Sequence, residues 1–397
     1  MNNKTIAVVI VVILVVAAGA GVFFILHDRE KDNGLSLLAG VNTDGSGLYI
    51  DKNIDKSTMF DADLNPIPSG WDGKIFGTPG TATIQHVQLQ QIANSMGMDF
   101  KMYVSSIAPT PKTVYYVPGI SSAALALDNT TINGGSLWQP QYQKIVDDKS
   151  SRYKSLELTN NLFPGHACCV IAGYNGYLSG HQDETVRLLA AYVTAVNWVN
   201  AALAKDPTHE DHKALINIAM DAVKDFKPTF TESEIEEALK SVVYYYGENS
   251  STPLSKLRGN IASLAGDLTN MPGVTGNNLA DLGFVSDSTG TAGQKFAAKF
   301  VNDSYLADAL DLMGKTPSKS KEATIKVAVI NGDIHQIAIH VADKLGIFEE
   351  YGLSVNLIKA QNGPGVALAI QNGDASFGLL GAPPLTITVI NGELLKA

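Results

Sequence analysis

Cys168 and Cys169 stand side by side in LFPGHACCVIAG and are the only cysteines in the chain. No disulfide framework can be built from them. A bond between adjacent cysteines is strained, and as buried thiols the two serve as small apolar side chains. His209 and His212 in THEDHK have a ligand-like spacing. They follow Pro207 in a charged stretch, which reads as a solvated surface. His335 and His340 are five apart, so at about 100° per residue they occupy different faces of a helix. At most one points inward, and His335 is nearer the helix start. No metal site is expected from these groups, no nucleophile–base set stands out, and no cofactor is called for. A Walker-type phosphate loop and a dinucleotide fingerprint are both missing from the sequence.

Residues suited to binding rather than catalysis are easier to find. In GTPGTAT, the hydroxyls of Thr78, Thr81 and Thr83 surround Gly80 at a helix start, where free backbone N–H groups and the helix dipole suit oxyanions or amides. In QNGPG, Gly363 and Gly365 beside Asn362 let the backbone approach a ligand. GAPP, residues 381–384, places Ala382 and Pro383 at a strand end and helix start.

These loops need a scaffold of strands and helices. Lys74–Phe76 is a short strand, and Ala82–Ser95 is an amphipathic helix closed by Gly97. This strand–loop–helix unit is the usual element of an α/β fold. Leu35–Ala39 and Leu48–Ile50 read as strands around a Gly/Asn/Asp-rich turn. From about Gln182 to Met313 the pattern is mostly helical. A long amphipathic helix starts near Asp183, and another runs from a Thr231/Glu234 capping box to a stop at Gly247. Tyr244–Tyr246 is expected to pack that helix end. GKTPSKSKEAT, residues 314–324, reads as a linker, and α/β character returns after it.

The 397 residues suffice for one large or two medium domains. At 45% hydrophobic and 17% charged, the chain supports a sizeable core. The balance of 39 acidic and 29 basic residues gives a formal charge of -10. Without a Lys/Arg cluster, a nucleic-acid partner is disfavoured. Ile6–Leu26 is uncharged and just long enough to cross a hydrocarbon core of roughly 30 Å. Ala18-Gly19-Ala20 resembles a signal-cleavage site, but the apolar run continues past it, so a retained single-pass anchor is expected ahead of a cleaved signal. Both readings place the bulk of the chain outside the cytoplasm.

VADKLGIFEEYGLSVNLI, GPGVALAIQNGDASFGLLGAPP and VINGELLKA resemble the first half of a known family. The family is the extracytoplasmic solute-binding proteins of ABC importers, in the nitrate/sulfonate/taurine and thiamine-pyrimidine-like branch. GKIFGTPGTATIQHVQL, SLWQP, LFPGHACCVIAG and NDSYLADALD resemble its later parts. The resemblance spans most of residues 34–397 in the wrong order, as in a circular permutation; the alternative is a fusion of two partial genes. It implies a two-lobe, periplasmic-binding-protein-like (type II) α/β fold with a cleft between the lobes. The implied division is 1–33 anchor and spacer, 34–73 first lobe, 74–168 second lobe, 169–313 return and helical part, 314–324 permutation linker, and 325–397 first lobe again. The tail strand Lys326–Ile330 and the early strand Leu35–Ala39 should then share one sheet.

In that fold the cleft-facing residues would be Thr78, Gly80, Thr81 and Thr83; Trp138 and Gln139; His166; Asp333, His335 and Gln336; Asn362, Gly363 and Gly365; Ala382 and Pro383; and Thr43 and Ser46 near the crossover. The resemblance implies a membrane-tethered receptor, not an enzyme. It would capture a sulfonate, a nitrate-like anion or a small heterocycle and hand it to a permease and ATPase. The pyrimidine synthases of this scaffold carry a Cys-rich stretch that this chain lacks. A surface sensor without transport is the other binding reading.

Overall fold

The computed structural model describes residues 34–226, 229–247, 253–271, 275–313, 315 and 322–392. The stretch Ile6–Leu26, most of the linker 314–324, and Glu393–Ala397 lie outside the described residues.

Two six-stranded mixed sheets organise the chain. The first draws on widely separated segments. β1 (Leu35–Asp44), β8 (Ala167–Tyr174), β9 (Val242–Tyr244), β10 (Ala323–Ile330), β11 (Leu353–Ala360) and β12 (Phe377–Gly381) pair in the order β11-β10-β12-β8-β1-β9. β10 runs parallel to β11 and β12, whereas β8 is antiparallel to both β12 and β1. Central β1 and β8 are buried along nearly their whole length. Their near-continuous apolar runs are those of strands covered on both faces. Lys326–Ile330 and Leu35–Ala39 therefore do lie in one sheet, with β12 and β8 between them.

The second sheet comprises β2 (Ser46–Asp51), β3 (Ile75–Thr78), β4 (Asp99–Met102), β5 (Thr113–Pro118), β6 (Gly134–Trp138) and β7 (Tyr153–Leu158), ordered β4-β5-β3-β6-β2-β7. A separate apolar cluster covers each of its faces. One contains Leu48, Trp71, Phe76 and Leu89, and the other Tyr49, Leu137, Tyr142 and Tyr153. The alternation of Leu48, Tyr49 and Ile50 between these clusters is the period-2 pattern of a strand buried on both sides.

The chain passes between the sheets twice. The outward crossing is at Asp44-Gly45-Ser46, earlier than the expected boundary at residue 73, so β2 belongs to the second sheet. Asp44 and Gly45, at this crossing, both adopt left-handed backbone angles (φ 64 and 87). The return follows the short helix Thr159–Leu162, a few residues before the expected residue 168. A second correction concerns the helix expected to stop at Gly247. It ends at Lys240, and Val242–Tyr244 forms β9 on the edge of β1. Valine and tyrosine favour a pleated, half-buried edge over a helical turn.

Among the described residues one helix, Gln182–Leu203, is long and apolar enough to cross a membrane. Here it is a core helix whose Leu188, Leu189, Tyr192, Val193 and Val196 are buried. Its buried Arg187 donates through Nη1 to the carbonyls of Tyr351 (3.0 Å) and Gly352 (2.9 Å), tying the tail segment to the first sheet's helical layer.

If the two ends of the chain form one cooperative unit, Leu37→Ala in β1 and Leu379→Ala in β12, both at fully buried sites, each lower the same single unfolding transition. The expected loss is about 2–5 kcal/mol. Denaturant melts followed by far-ultraviolet circular dichroism measure it. A Leu379→Ala transition indistinguishable from wild type would separate the tail from this sheet.

Candidate functional site

The parallel strands of both sheets end on a common cleft. At and after the end of β10 come Ile330, Asp333 and His335, after β11 Asn362–Pro364, and at and after the end of β12 Gly381 and Pro384; the second sheet contributes Thr83, Ile84 and Gln85 after β3 and Trp138 at the end of β6. Outside the carboxyl ends of strands is where open α/β sheets bind ligands. The cleft is a small cavity of ≈ 80 Å³.

Three helix N-termini open at the cleft wall. Helix Ile84–Ser95 is capped by Thr83, whose side chain accepts from His86 N, and helix Gly363–Gln371 by Asn362, whose side chain accepts from Gly365 N. Helix Ala382–Asn391 begins with prolines in its first turn. The dipoles of these helices give the wall a positive field, although Pro364, Pro383 and Pro384 carry no N–H and leave the last two helix starts with fewer donors.

On the floor lies a buried cluster. Asp333 Oδ1 accepts from His335 N at 3.0 Å and lies 3.4 Å from His335 Nδ1. Cys168 Sγ is 3.8 Å from the same nitrogen. His335 Nε2 meets Gly45 O at 2.8 Å. A carbonyl only accepts, so Nε2 carries the hydrogen. Burial raises the Asp333 carboxyl to about 6, against the opposing pull of His335. Burial disfavours the charged His335 ring, but the Asp333 carboxylate and the Cys168 sulfur outweigh it and raise His335 to about 9. The Cys168 thiol is lowered well below its ordinary value by its hydrogen bond with Cys169 and, against burial, by His335; Cys169 is raised by the same bond and by burial. At neutral pH the floor thus holds a carboxylate facing an imidazolium.

The expected site residues divide into three groups. Thr83, Trp138, Asp333, His335, Asn362 and Gly363 line the cleft. Others hold its walls. Gln336 is buried, with its side chain bonded to Ile330 N and Leu379 O. Buried Gln139 donates to Ser241 Oγ and accepts from Gln143 N. Ser46 Oγ accepts from the cleft residue Gln85 at 2.9 Å. Gly365 N donates to the Oδ1 of Asn362, which caps the helix. Ala382 and Pro383 are buried while their neighbours Gly381 and Pro384 face the cleft. Thr43, half-buried, pairs within β1, and Gly80 and Thr81 are not among the lining residues.

Two expectations are corrected. Thr78 is fully buried, its hydroxyl 3.4 Å from His86 Nδ1, because β3 carries it into the second sheet before the loop opens. His166 lines a neighbouring cavity with Gln88 and Asn260, its Nδ1 2.8 Å from Phe163 O and 3.1 Å from Asp44 Oδ1.

The lining residues outside the expected set are Ile84, Gln85, Cys168, Cys169 and Ile330, together with Pro364, Gly381 and Pro384 from loops whose neighbours were expected. Ile84 and Gln85 occupy the first turn of a helix whose start was expected two residues earlier. Cys169 reaches the cleft for a reason invisible along a single strand. Asn42 pairs with Cys169 and Thr43 with Ala167, so Cys168 is the extra residue of a β-bulge. In a regular strand, adjacent side chains point to opposite faces. The bulge turns both thiols the same way.

No family model matches this chain, and no curated relative does. Two solved structures are similar to it in part. One is the ligand-binding component of an ABC-type import system from Staphylococcus aureus with zinc bound, with 13% identity and a TM-score of 0.35 over 60% of this chain and 69% of that one. The other is the periplasmic nitrate-binding protein of Synechocystis PCC 6803, with 12% identity and a TM-score of 0.44 over 70% and 68%. At these scores the likeness assigns this chain neither a ligand nor a branch.

His86 sets a pH dependence beside the cleft. Its ring is buried against Phe100 and Tyr116, and burial lowers it to about 4. A depressed histidine gives its full contribution above the unfolded value near 6.5 and loses it as pH falls toward 4. Relative to His86→Phe, wild type should lose about 2 kcal/mol between pH 6.5 and 4.5. Parallel denaturant melts at the two pH values measure the difference, and a gap that does not change with pH would show that the ring is not held neutral.

Proposed function

We propose that this chain is a solute receptor of the ABC-importer type. It takes a small ligand into the cleft between its two sheets and passes it, by lobe closure, to a permease and ATPase. One observation carries the reading: loops from the carboxyl ends of both sheets converge on one small cleft, while the sheets are joined by only two crossings, Asp44–Ser46 and Thr159–His166. Two bodies on two short connections can swing together, as hinge-closing binding proteins do. No step of chemistry is assigned to it.

The finer reading is the nitrate/sulfonate/taurine branch in circularly permuted order. The sheet order β11-β10-β12-β8-β1 supports it, because the tail segment supplies three adjacent strands of a sheet that the first described strand completes. In this reading residues 325–397 with 34–44 and 167–313 make one lobe and 46–158 the other. Residues 6–26 tether the receptor outside the cytoplasm. Helix N-termini without a lining lysine or arginine favour a weakly charged anion or a polar heterocycle over phosphate.

Two measurements test this. A thermal-shift screen of nitrate, alkylsulfonates and small heterocycles should find a ligand that also changes Trp138 fluorescence. Thr83→Ala and Asn362→Ala should each weaken it about 3- to 10-fold. A screen in which nothing binds removes the receptor reading. In addition, a reordered chain, 325–397 followed by 34–313, should melt at the same temperature and bind the same ligand. A reordered chain that does not fold counts against the permutation.

A further inference from the structure

The thiols and imidazole on the cleft floor form a set of donors. One ligand atom each from Cys168, Cys169 and His335 lies within 4.8 Å of the others, and all three residues are buried. We infer that Cys168, Cys169 and His335 bind a zinc-class divalent ion, with its fourth coordination position open to the cleft. This deepens the solute-receptor reading and rests on it for the role of the fourth position. The three-residue ion site stands by itself.

Three independent features of the fold support the site. The first is distance. Around a tetrahedral zinc ion, neighbouring sulfur and nitrogen donors are about 3.6–3.8 Å apart. Cys168 Sγ and His335 Nδ1 are 3.8 Å apart before any ion draws them in. The second is the bulge at Cys168, without which one thiol would face away from the histidine. Bulges recur where a strand must re-aim a side chain. The third is the orientation of the imidazole. Gly45 O holds His335 Nε2–H at 2.8 Å, leaving Nδ1 as the nitrogen that faces the sulfurs. A histidine that donates its other N–H to a backbone carbonyl is fixed as a metal ligand is fixed. Gly45 leaves room for this contact, since a Cβ there would meet His335 Nε2 at 2.5 Å.

The donor set selects the ion. Two thiolates and an imidazole suit zinc; hard cations such as calcium and magnesium take oxygen ligands. Three protein ligands with an open fourth position are the arrangement in which zinc accepts an exogenous donor. Here that position faces the cleft, which all three ligands line together with Asp333. The solute class that follows is a small molecule offering a carboxylate, a thiolate or a heterocyclic nitrogen to the ion. Binding displaces the thiol protons and any proton on Nδ1.

The test is a zinc titration of the reduced, metal-stripped full chain against a chromophoric chelator. One equivalent should bind, with Cys168→Ser, Cys169→Ser and His335→Gln each weakening it by more than about 100-fold. Circular dichroism checks that each variant folds. Cobalt added to wild type gives a readout that needs no variant: a thiolate-to-cobalt charge-transfer band with tetrahedral d–d intensity. Zinc should also protect both thiols from alkylation. Wild type that binds no zinc, or that binds it no better than the cysteine variants, overturns the inference, as does a cobalt spectrum without the thiolate band. The two readings fail separately. Stoichiometric zinc without any solute capture upholds the ion site and removes the receptor. Solute capture by wild type and the Cys168→Ser/Cys169→Ser double variant alike, with no zinc bound, does the reverse.

Discussion

The carbonyl of Gly45 holds the two halves of the molecule in register. It accepts from His335 Nε2 at 2.8 Å and from Gln139 N at 2.9 Å. One donor belongs to the loop after β10 in the first sheet, the other to the loop after β6 in the second. Both lone pairs of one oxygen are thus spent joining three segments that lie far apart in sequence. The residue must be glycine on two counts: its backbone sits at φ 87, and a Cβ would collide with the histidine ring. Behind His335, Asp333 supplies the counter-charge. Losing one partner of such a buried pair costs about 3–5 kcal/mol because the other charge is stranded. Stability, the crossover and the cleft floor therefore depend on the same few atoms.

Much of this scaffold was legible in the sequence, because strand–loop–helix units announce themselves locally. The helix expected over Ala82–Ser95 is found at Ile84–Ser95, and the one expected near Asp183 at Gln182–Leu203. The Thr231/Glu234 capping box forms as its residue types require. That the tail strands join the sheet of β1 and β8 was legible only through motif order, since the pairing of Phe377 with Gly173 and of Gly381 with Cys169 spans far too many residues to leave a local pattern.

What was not legible depends on pairing and register. Nothing in DGSG distinguishes a hairpin turn from a crossing between sheets; the difference lies in which partners Leu48 and Tyr49 find. Val242–Tyr244 continues a helical pattern until the open edge of β1 offers a better use for its β-branched and aromatic side chains. Thr78 carries a hydroxyl beside a helix start, as a ligand residue would, yet the strand swallows it. Cys168 and Cys169 look like two inert apolar residues until the slip between Asn42 and Thr43 aims both toward His335.

The electrostatics of the cleft tie these points together. None of the described residues that line it is a lysine or arginine. Its positive field comes from helix N-termini and from His335, and Asp333 largely offsets the latter. Dipole fields fall off within about a turn, so they act on a ligand only at contact and do little to steer a distant anion. A pocket built this way discriminates by donor geometry over total charge. The same field favours thiolate over thiol at Cys168, whose acidity is already raised by Cys169 and His335. A divalent ion held by two thiolates and a neutral imidazole carries no net charge. Filling the floor therefore turns His335 from a cation into a neutral ligand and leaves the Asp333 carboxylate facing the helix N-termini as its remaining counter-charge.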